Sequence, residues 1–214
     1  AIVGKSDAHI FVNEKKLTDE VKKQFSKNNI KIHPNGEIIG FLNNMKESES
    51  ILVDTQLCNQ TIYDAINGKI IQGNSIPKFL KAIKNGTEIG HIRDVMKKDG
   101  AALANTFYWL EQSLSSGQKI NEVDVARKLA EQRSQQKFYQ GESFGAIIGY
   151  NENGAIIHYH PEPETCKTIK PEGILLVDSG GQYSDGTTDI TRTFSLSQPT
   201  EEQVKAYTLI LKGM

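Results

Sequence analysis

Cysteine is nearly missing. Cys58 and Cys166 are the only two in 214 residues, they lie far apart, and no CxxC spacing occurs. That excludes a disulfide framework and a zinc knuckle, and it fits a reducing compartment such as the cytoplasm. Long charge runs are missing too. Basic residues cluster only as Lys15-Lys16, Lys22-Lys23 and Lys97-Lys98, and 25 basic against 26 acidic residues leave a net charge of −1. Neither nucleic acid nor an acidic membrane is indicated as the main partner. No apolar run approaches the ~18 to 20 residues of a membrane span. No internal repeat is visible, and Ala1-Ile2-Val3-Gly4 is neither a signal peptide nor a natural start; it reads like the middle of a fold. Asn59-Gln60-Thr61 and Asn85-Gly86-Thr87 match the glycosylation sequon, a pattern short enough to be common by chance.

What is present is enough to build a core: 37% hydrophobic and 24% charged residues over a length that suits one large domain or two small ones. In the first third, strand-like segments (8–12, 30–33, 51–53, 69–72) alternate with helical ones (18–28, 35–44, 59–67). Thr18 and Asn35 stand where caps would sit. The order βαβαβαβ predicts an α/β sheet layer. Breaks at 73–77 and 84–86 place a domain boundary near residue 80, giving domains 1–80 and 81–214. The second domain begins with a long helix over 87–114, its apolar residues Ile89, Ile92, Met96, Leu103, Phe107, Leu110 and Leu114 at roughly helical spacing. Asn121 with Asp124 opens a second helix, and Thr200 with Gln203 opens a last one after Pro199. Between these lie strand candidates 145–149, 155–159, 174–183 and 188–196. Helices, then strands, then a helix is an α+β pattern.

One hairpin stands out. In VDSGGQYSDGTTDITRT, residues 177–193, Asp178 ends the apolar run Ile174-Leu175-Leu176-Val177, and Asp189 follows a glycine-rich tip. Asp is a common turn residue, so a polar hairpin tip is the plain alternative. Register discriminates. A tight turn on Asp185-Gly186 sets Asp178 against Thr193 and Asp189 against Gln182, leaving the acids roughly 13 Å apart along the ladder. Pairing Asp178 with Asp189 through a bulged tip instead brings their Cβ atoms to about 5 Å. Two such carboxylates repel unless a cation lies between them, so this register makes sense as half of a metal site. Oxygen ligands favour Mn²⁺, Co²⁺ or Zn²⁺, without a choice among them.

The segment LLVDSGGQYSDGTTDITRTF resembles the metal-binding hairpin of the Xaa-Pro aminopeptidases in the pita-bread metallopeptidase family. NGAIIHYHPEPET (153–165) resembles that family's strand carrying an active-site histidine, and residues 81–112 resemble the helix that opens its catalytic domain. Residues 1–80 are similar to the latter part of the creatinase-like domain that precedes it. The resemblance implies two divalent cations (Mn²⁺ or Zn²⁺, or else Co²⁺), Asp178 as ligand of one, Asp189 bridging both, and His158 contacting substrate near the scissile bond. It implies hydrolysis of peptides with proline in second position, by a metal-bridging hydroxide, in an enzyme that is a homodimer when intact. A prolidase or another pita-bread hydrolase, or a non-catalytic pita-bread domain binding peptides or partners, is the alternative.

The family's remaining ligands, a histidine and two glutamates, have no match here, so the chain is expected to be an internal fragment, inactive alone. It is also expected to expose apolar sheet surface and self-associate. Thr191, two residues after Asp189, is placed to hydrogen-bond a ligand carboxylate or a metal-bound water. Its plain reading is β-propensity. His160 is expected on the face of His158 in a strand, structural or peripheral. Arg192 is expected in an ion pair, Trp109 in packing, and Phe144 and Tyr150 are candidates for a specificity pocket.

Overall fold

The computed structural model describes residues 1–214, which form two compact units, Ala1–Ile83 and Lys84–Met214. In the first, β1 (Ile2–Val3), β2 (Ala8–Phe11), α1 (Asp19–Lys27), β3 (Ile30–His33), α2 (Ile38–Asn43), β4 (Ser50–Val53), α3 (Gln60–Asp64), β5 (Lys69–Gln72) and α4 (Ile76–Ala82) follow in order. The βαβ crossovers make β2–β3 and β4–β5 parallel pairs. These pairs do not merge: β1-β2-β3 is one sheet and β4-β5 another, so the expected sheet layer is split in two. Thr18 caps α1, its Oγ1 accepting from Val21 N at 3.3 Å. Asn35 does not cap α2; it lies in a 3-10 turn, Asn35–Glu37, leading into it. The stretch after Gly73, read from sequence as a break, winds into α4 with proline in its first turn, where the missing N–H costs nothing.

The second unit opens with α5 (Gly86–Ser115). Its capping box is complete: Asn85 Oδ1 accepts from Glu88 N at 2.9 Å and Glu88 Oε2 accepts from Asn85 N at 2.8 Å. Then come β6 (Ile120–Asn121), α6 (Glu122–Ser134), β7 (Tyr139–Tyr150), β8 (Thr168–Ile169), β9 (Ile174–Tyr183), β10 (Gly186–Thr187), β11 (Ile190–Ser195) and α7 (Glu201–Gly213). Asn121 with Asp124 and Thr200 with Gln203 form the boxes that start α6 and α7. β9 is central, antiparallel to β7 on one side and to β10 and β11 on the other. Leu103 and Leu110 of α5 and Val125 and Leu129 of α6 pack with Ile148, Leu175, Val177 and Ile190 of the sheet. Each such side chain contributes about 1.5–3 kcal/mol by burial. Phe107 and Trp109 pack against the same core.

A charged group is built into this unit. Arg133 of α6 and Asp99 of α5 are both fully buried and meet through two bonds, Nε to Oδ1 at 2.8 Å and Nη2 to Oδ2 at 2.9 Å. Arg133 Nη2 also donates to Ser179 Oγ of β9 at 3.1 Å, and the Tyr183 hydroxyl donates to Asp99 Oδ1 at 2.9 Å. The exposed apolar side chains differ from expectation. In the second unit they sit on helices, notably Val204, Tyr207, Leu209, Ile210 and Leu211 of α7, and on loops, as Phe138, Ile156 and Ile157 do, rather than on the sheet of β7, β9, β10 and β11. The apolar side chains of the sheet, Ile148, Leu175, Val177 and Ile190 among them, are turned into the core.

Candidate active site

The hairpin takes neither register anticipated from sequence. Tyr183 pairs with Gly186, so the loop is the two residues Ser184-Asp185 rather than Asp185-Gly186. Contacts from elsewhere in the unit hold it there: Lys98 Nζ donates to Asp185 Oδ2 at 2.8 Å, and Ser184 N to Phe138 O at 2.9 Å. Asp178 then faces Thr191. In this register Asp189 stands two residues along the ladder from Asp178, a stagger of roughly 7 Å, on the same face of the sheet.

Asp189 itself lies in a break between β10 and β11. Thr188 makes the break. Its N–H donates to Gly181 O at 2.9 Å, but Gly181 N donates to the Thr188 hydroxyl, also at 2.9 Å, instead of to its carbonyl. The freed carbonyl accepts from Ser143 Oγ at 2.9 Å. Gly180 allows the approach, since a Cβ there would run into Thr188 O and Ser143 Oγ. On the other side β7 slips register three times between Tyr139 and Ile147. Bulges of this kind re-aim side chains beside a site.

Beside these irregularities lies a cavity of about 350 Å³ lined by Phe144, Gly145, Ile147, His158, His160, Asp178 and Asp189. The structure thus brings together Asp178, Asp189 and His158, with His160 and Phe144 beside them. Tyr150 is not among them; it is buried, and its hydroxyl donates to Glu172 O at 2.8 Å. Thr191 Oγ1 donates to Asp178 Oδ1 at 2.8 Å, which orients that carboxylate and leaves its other oxygen free of protein donors. Arg192 makes no ion pair; its guanidinium donates to Thr191 O at 2.7 Å.

His158 and His160 reach the cavity from an irregular segment, not from a strand. The chain after β7 forms a 3-10 turn, Asn151–Ala155, and His158 has a left-handed backbone at φ 57°. The strand expected over 155–159 is not formed, and Ile157 within it is 86% exposed. The segment is held instead by polar bonds to Glu122, whose carboxylate is completely buried. Glu122 Oε1 accepts from Tyr150 N at 2.7 Å and Asn153 Nδ2 at 3.0 Å, and Oε2 accepts from the Tyr159 hydroxyl and Lys167 N, each at 2.8 Å. Sequence reading missed Glu122 because an acid in the first turn of a helix is already explained by the helix dipole. It missed the Asp99–Arg133 pair because charged residues on helices ordinarily face water.

Two carboxylates on one sheet face, unpaired with any lysine or arginine, are a donor set suited to a hard or borderline divalent cation. Nowhere in the chain do three His, Cys, Asp or Glu side chains converge closely enough to hold an ion by themselves. The cavity therefore offers part of a ligand set.

Comparison with known proteins places this architecture. The chain belongs to metallopeptidase family M24, whose pattern matches residues 90–214; the creatinase/prolidase N-terminal domain matches residues 1–88. Its fold is accordingly a creatinase-type N-terminal domain followed by pita-bread sequence. Among curated relatives, it is 41% identical over 226 residues to "Probable Xaa-Pro aminopeptidase P" of Sordaria macrospora, covering 100% of this chain and 37% of that protein. A protein of the same name from Coprinopsis cinerea is 36% identical over 229 residues, with the same coverages. The chain thus spans little more than a third of the length of these relatives. Among solved structures, the X-prolyl aminopeptidase of Caenorhabditis elegans, described as a cytosolic enzyme with a di-nuclear active site, superposes with a TM-score of 0.89 at 32% identity, over 99% of this chain and 36% of that one. The prolidase of Pyrococcus furiosus shares the fold, with a TM-score of 0.65 at 17% identity over 98% of this chain and 59% of that one. No helix is long and apolar enough to cross a membrane.

Proposed function

We propose that this chain carries part of the active site of a cytoplasmic Xaa-Pro aminopeptidase, which removes the first residue from peptides with proline in second position. The observation that carries the reading is the convergence of Asp178, Asp189 and His158 on one cavity, with Thr191 bonded to Asp178. The relatives' names and the di-nuclear site of the C. elegans enzyme support extending it to two divalent cations. Asp178 would hold one and Asp189 would bridge both, the remaining ligands coming from beyond this cavity. Cations bound there supply Lewis-acid polarisation of a peptide carbonyl and a water acidic enough to act as nucleophile near neutral pH.

The chain's own residues have separable tasks. Thr191 orients the Asp178 carboxylate, as a hydrogen-bonded partner of a metal ligand does. His158, exposed at the cavity wall, is placed to donate to the developing oxyanion or to the leaving proline nitrogen. Phe144 and Ile147 supply an apolar wall against which a proline ring can pack. Calorimetric titration of the chain with Mn²⁺ and with Zn²⁺ tests the metal assignment. With only part of the ligand set the wild-type chain should bind either ion weakly, and Asp178→Ala and Asp189→Ala should each abolish that weak binding. Unchanged binding in both variants would place the ions elsewhere and end this reading.

A further inference from the structure

Glu122 is fully buried and faces no cation; its carboxylate accepts only neutral donors. Those donors come from both ends and the middle of one segment. Tyr150 N–H lies at its start, Lys167 N–H at its end, and the Asn153 amide and Tyr159 hydroxyl between them. Asn153 also reaches the Tyr159 oxygen at 3.0 Å. A buried carboxylate left with an open lone pair is costly, so each donor is held firmly.

The consequence for the cavity follows from position. Tyr159 lies between His158 and His160. Its hydroxyl points inward to Glu122, while both histidines are exposed and line the cavity. Pinning the middle residue fixes where its neighbours stand. His158 moreover holds φ at 57°, a conformation disfavoured outside glycine that persists only when its surroundings over-determine it. No strand pairing does this, since 156–167 contains no strand. The only side-chain hydrogen bond between this tip and the core runs through Tyr159.

We propose that Glu122 and Tyr159 are positioning residues, which hold the segment after β7 so that His158 and His160 face Asp178 and Asp189. The proposal deepens the functional reading above and rests on it for its purpose. Its geometry can be tested without activity. In isotopically labelled chain, wild type is compared with Tyr159→Phe, which removes one hydroxyl and keeps the ring, and with Glu122→Gln.

Two readouts are taken: amide hydrogen exchange along the chain, and broadening of histidine ring and nearby signals on addition of Mn²⁺. Tyr159→Phe should speed exchange of the Ile156 and Tyr159 amides, which donate to Asn153 O and Ile156 O at 3.2 Å, by roughly tenfold or more while β9 and β11 keep wild-type rates. Mn²⁺ should still broaden Thr191, but no longer His158 and His160. Glu122→Gln should do the same, extended to residues 150–153 and 167; should it fail to fold, Tyr159→Phe decides alone. Exchange of the Ile156 and Tyr159 amides within about twofold of wild type, or histidine broadening kept in Tyr159→Phe, overturns the proposal. Absence of Mn²⁺ broadening in wild type instead counts against the metal assignment, and the exchange rates still decide the positioning role.

Discussion

Replacing Asp99 by leucine strands Arg133. The guanidinium is fully buried and takes both of its carboxylate contacts from Asp99, at 2.8 and 2.9 Å. Its only other bond is to the neutral Ser179 hydroxyl, and its Nη1 has no partner even in the intact network. Breaking a buried pair from one side costs about 3–5 kcal/mol, because a charge remains in a medium that cannot solvate it. The Tyr183 hydroxyl loses its acceptor as well, adding about 1 kcal/mol or more. A loss of about 4–6 kcal/mol is a large share of the roughly 5–15 kcal/mol by which a domain is stable. Removing both charges, Asp99→Leu with Arg133→Met, should recover most of it, leaving the double variant within about 2 kcal/mol of wild type. Urea unfolding of wild type, both singles and the double gives the coupling energy directly. A single Asp99→Leu that costs under about 1 kcal/mol, or singles that simply add, would refute the argument that Arg133 is held by its counterion. The site is the reason to care: Ser179 is the residue after Asp178 on β9, so slackening this network should also weaken Mn²⁺ binding at Asp178.

Other outcomes follow from the same geometry. Burial, then the Glu122 carboxylate, pushes the Tyr159 hydroxyl up to about 12, and burial with Asp99 raises Tyr183 as well. A folded value above the unfolded one of about 10 means the native state holds its proton more tightly. That stability is complete below pH ~10 and lost as pH rises from about 10 to 12, by at most ~1.4 kcal/mol per unit per tyrosine. Tyr139 is raised by burial as well, so phenolate absorbance should show three of the seven tyrosines ionising above the ordinary range; all seven titrating together in a folded chain would contradict it. Thr191→Val removes an exposed hydroxyl and should shift stability by under about 0.5 kcal/mol, yet weaken cation binding by roughly 10- to 100-fold in calorimetry. Gly180→Ala should cost about 3 kcal/mol in urea unfolding, because its Cβ meets the Thr188 carbonyl and must move the turn that carries Asp189. Asn85→Ala should cost about 1 kcal/mol by opening the capping box of α5, with exchange quickening in its first turn alone.

Local chemistry made much of this protein legible in its sequence. Capping boxes at Asn85, Asn121 and Thr200 are contacts between residues three apart, so the sequence states both partners; the Asn121 and Thr200 boxes were read directly, and the long α5 was read from its apolar spacing. Parallel pairing in the first unit followed from βαβ order, whereas its division into two sheets did not, because order fixes the direction of neighbours and not which pairs join. The aspartates were visible as an anomaly, acids closing an apolar strand. Their register was not, since a shift of one or two positions is decided by what the turn touches. Lys98 and Phe138, far away in sequence, hold the loop at Ser184-Asp185, and Thr188 breaks the ladder before Asp189. His158 was readable as a residue to watch through family resemblance, but its strand was not there. The segment is fixed by one buried carboxylate at Glu122 and leaves Ile156 and Ile157 exposed. The sequence by itself determined most of the helices, the starts of α1, α6 and α7 and the identity of the acids, because those depend on neighbours along the chain; it missed α4 and misplaced the start of α2. Only the tertiary structure decided the spacing of Asp178 and Asp189 and the approach of His158, because both depend on long-range bonds whose partners no local pattern names.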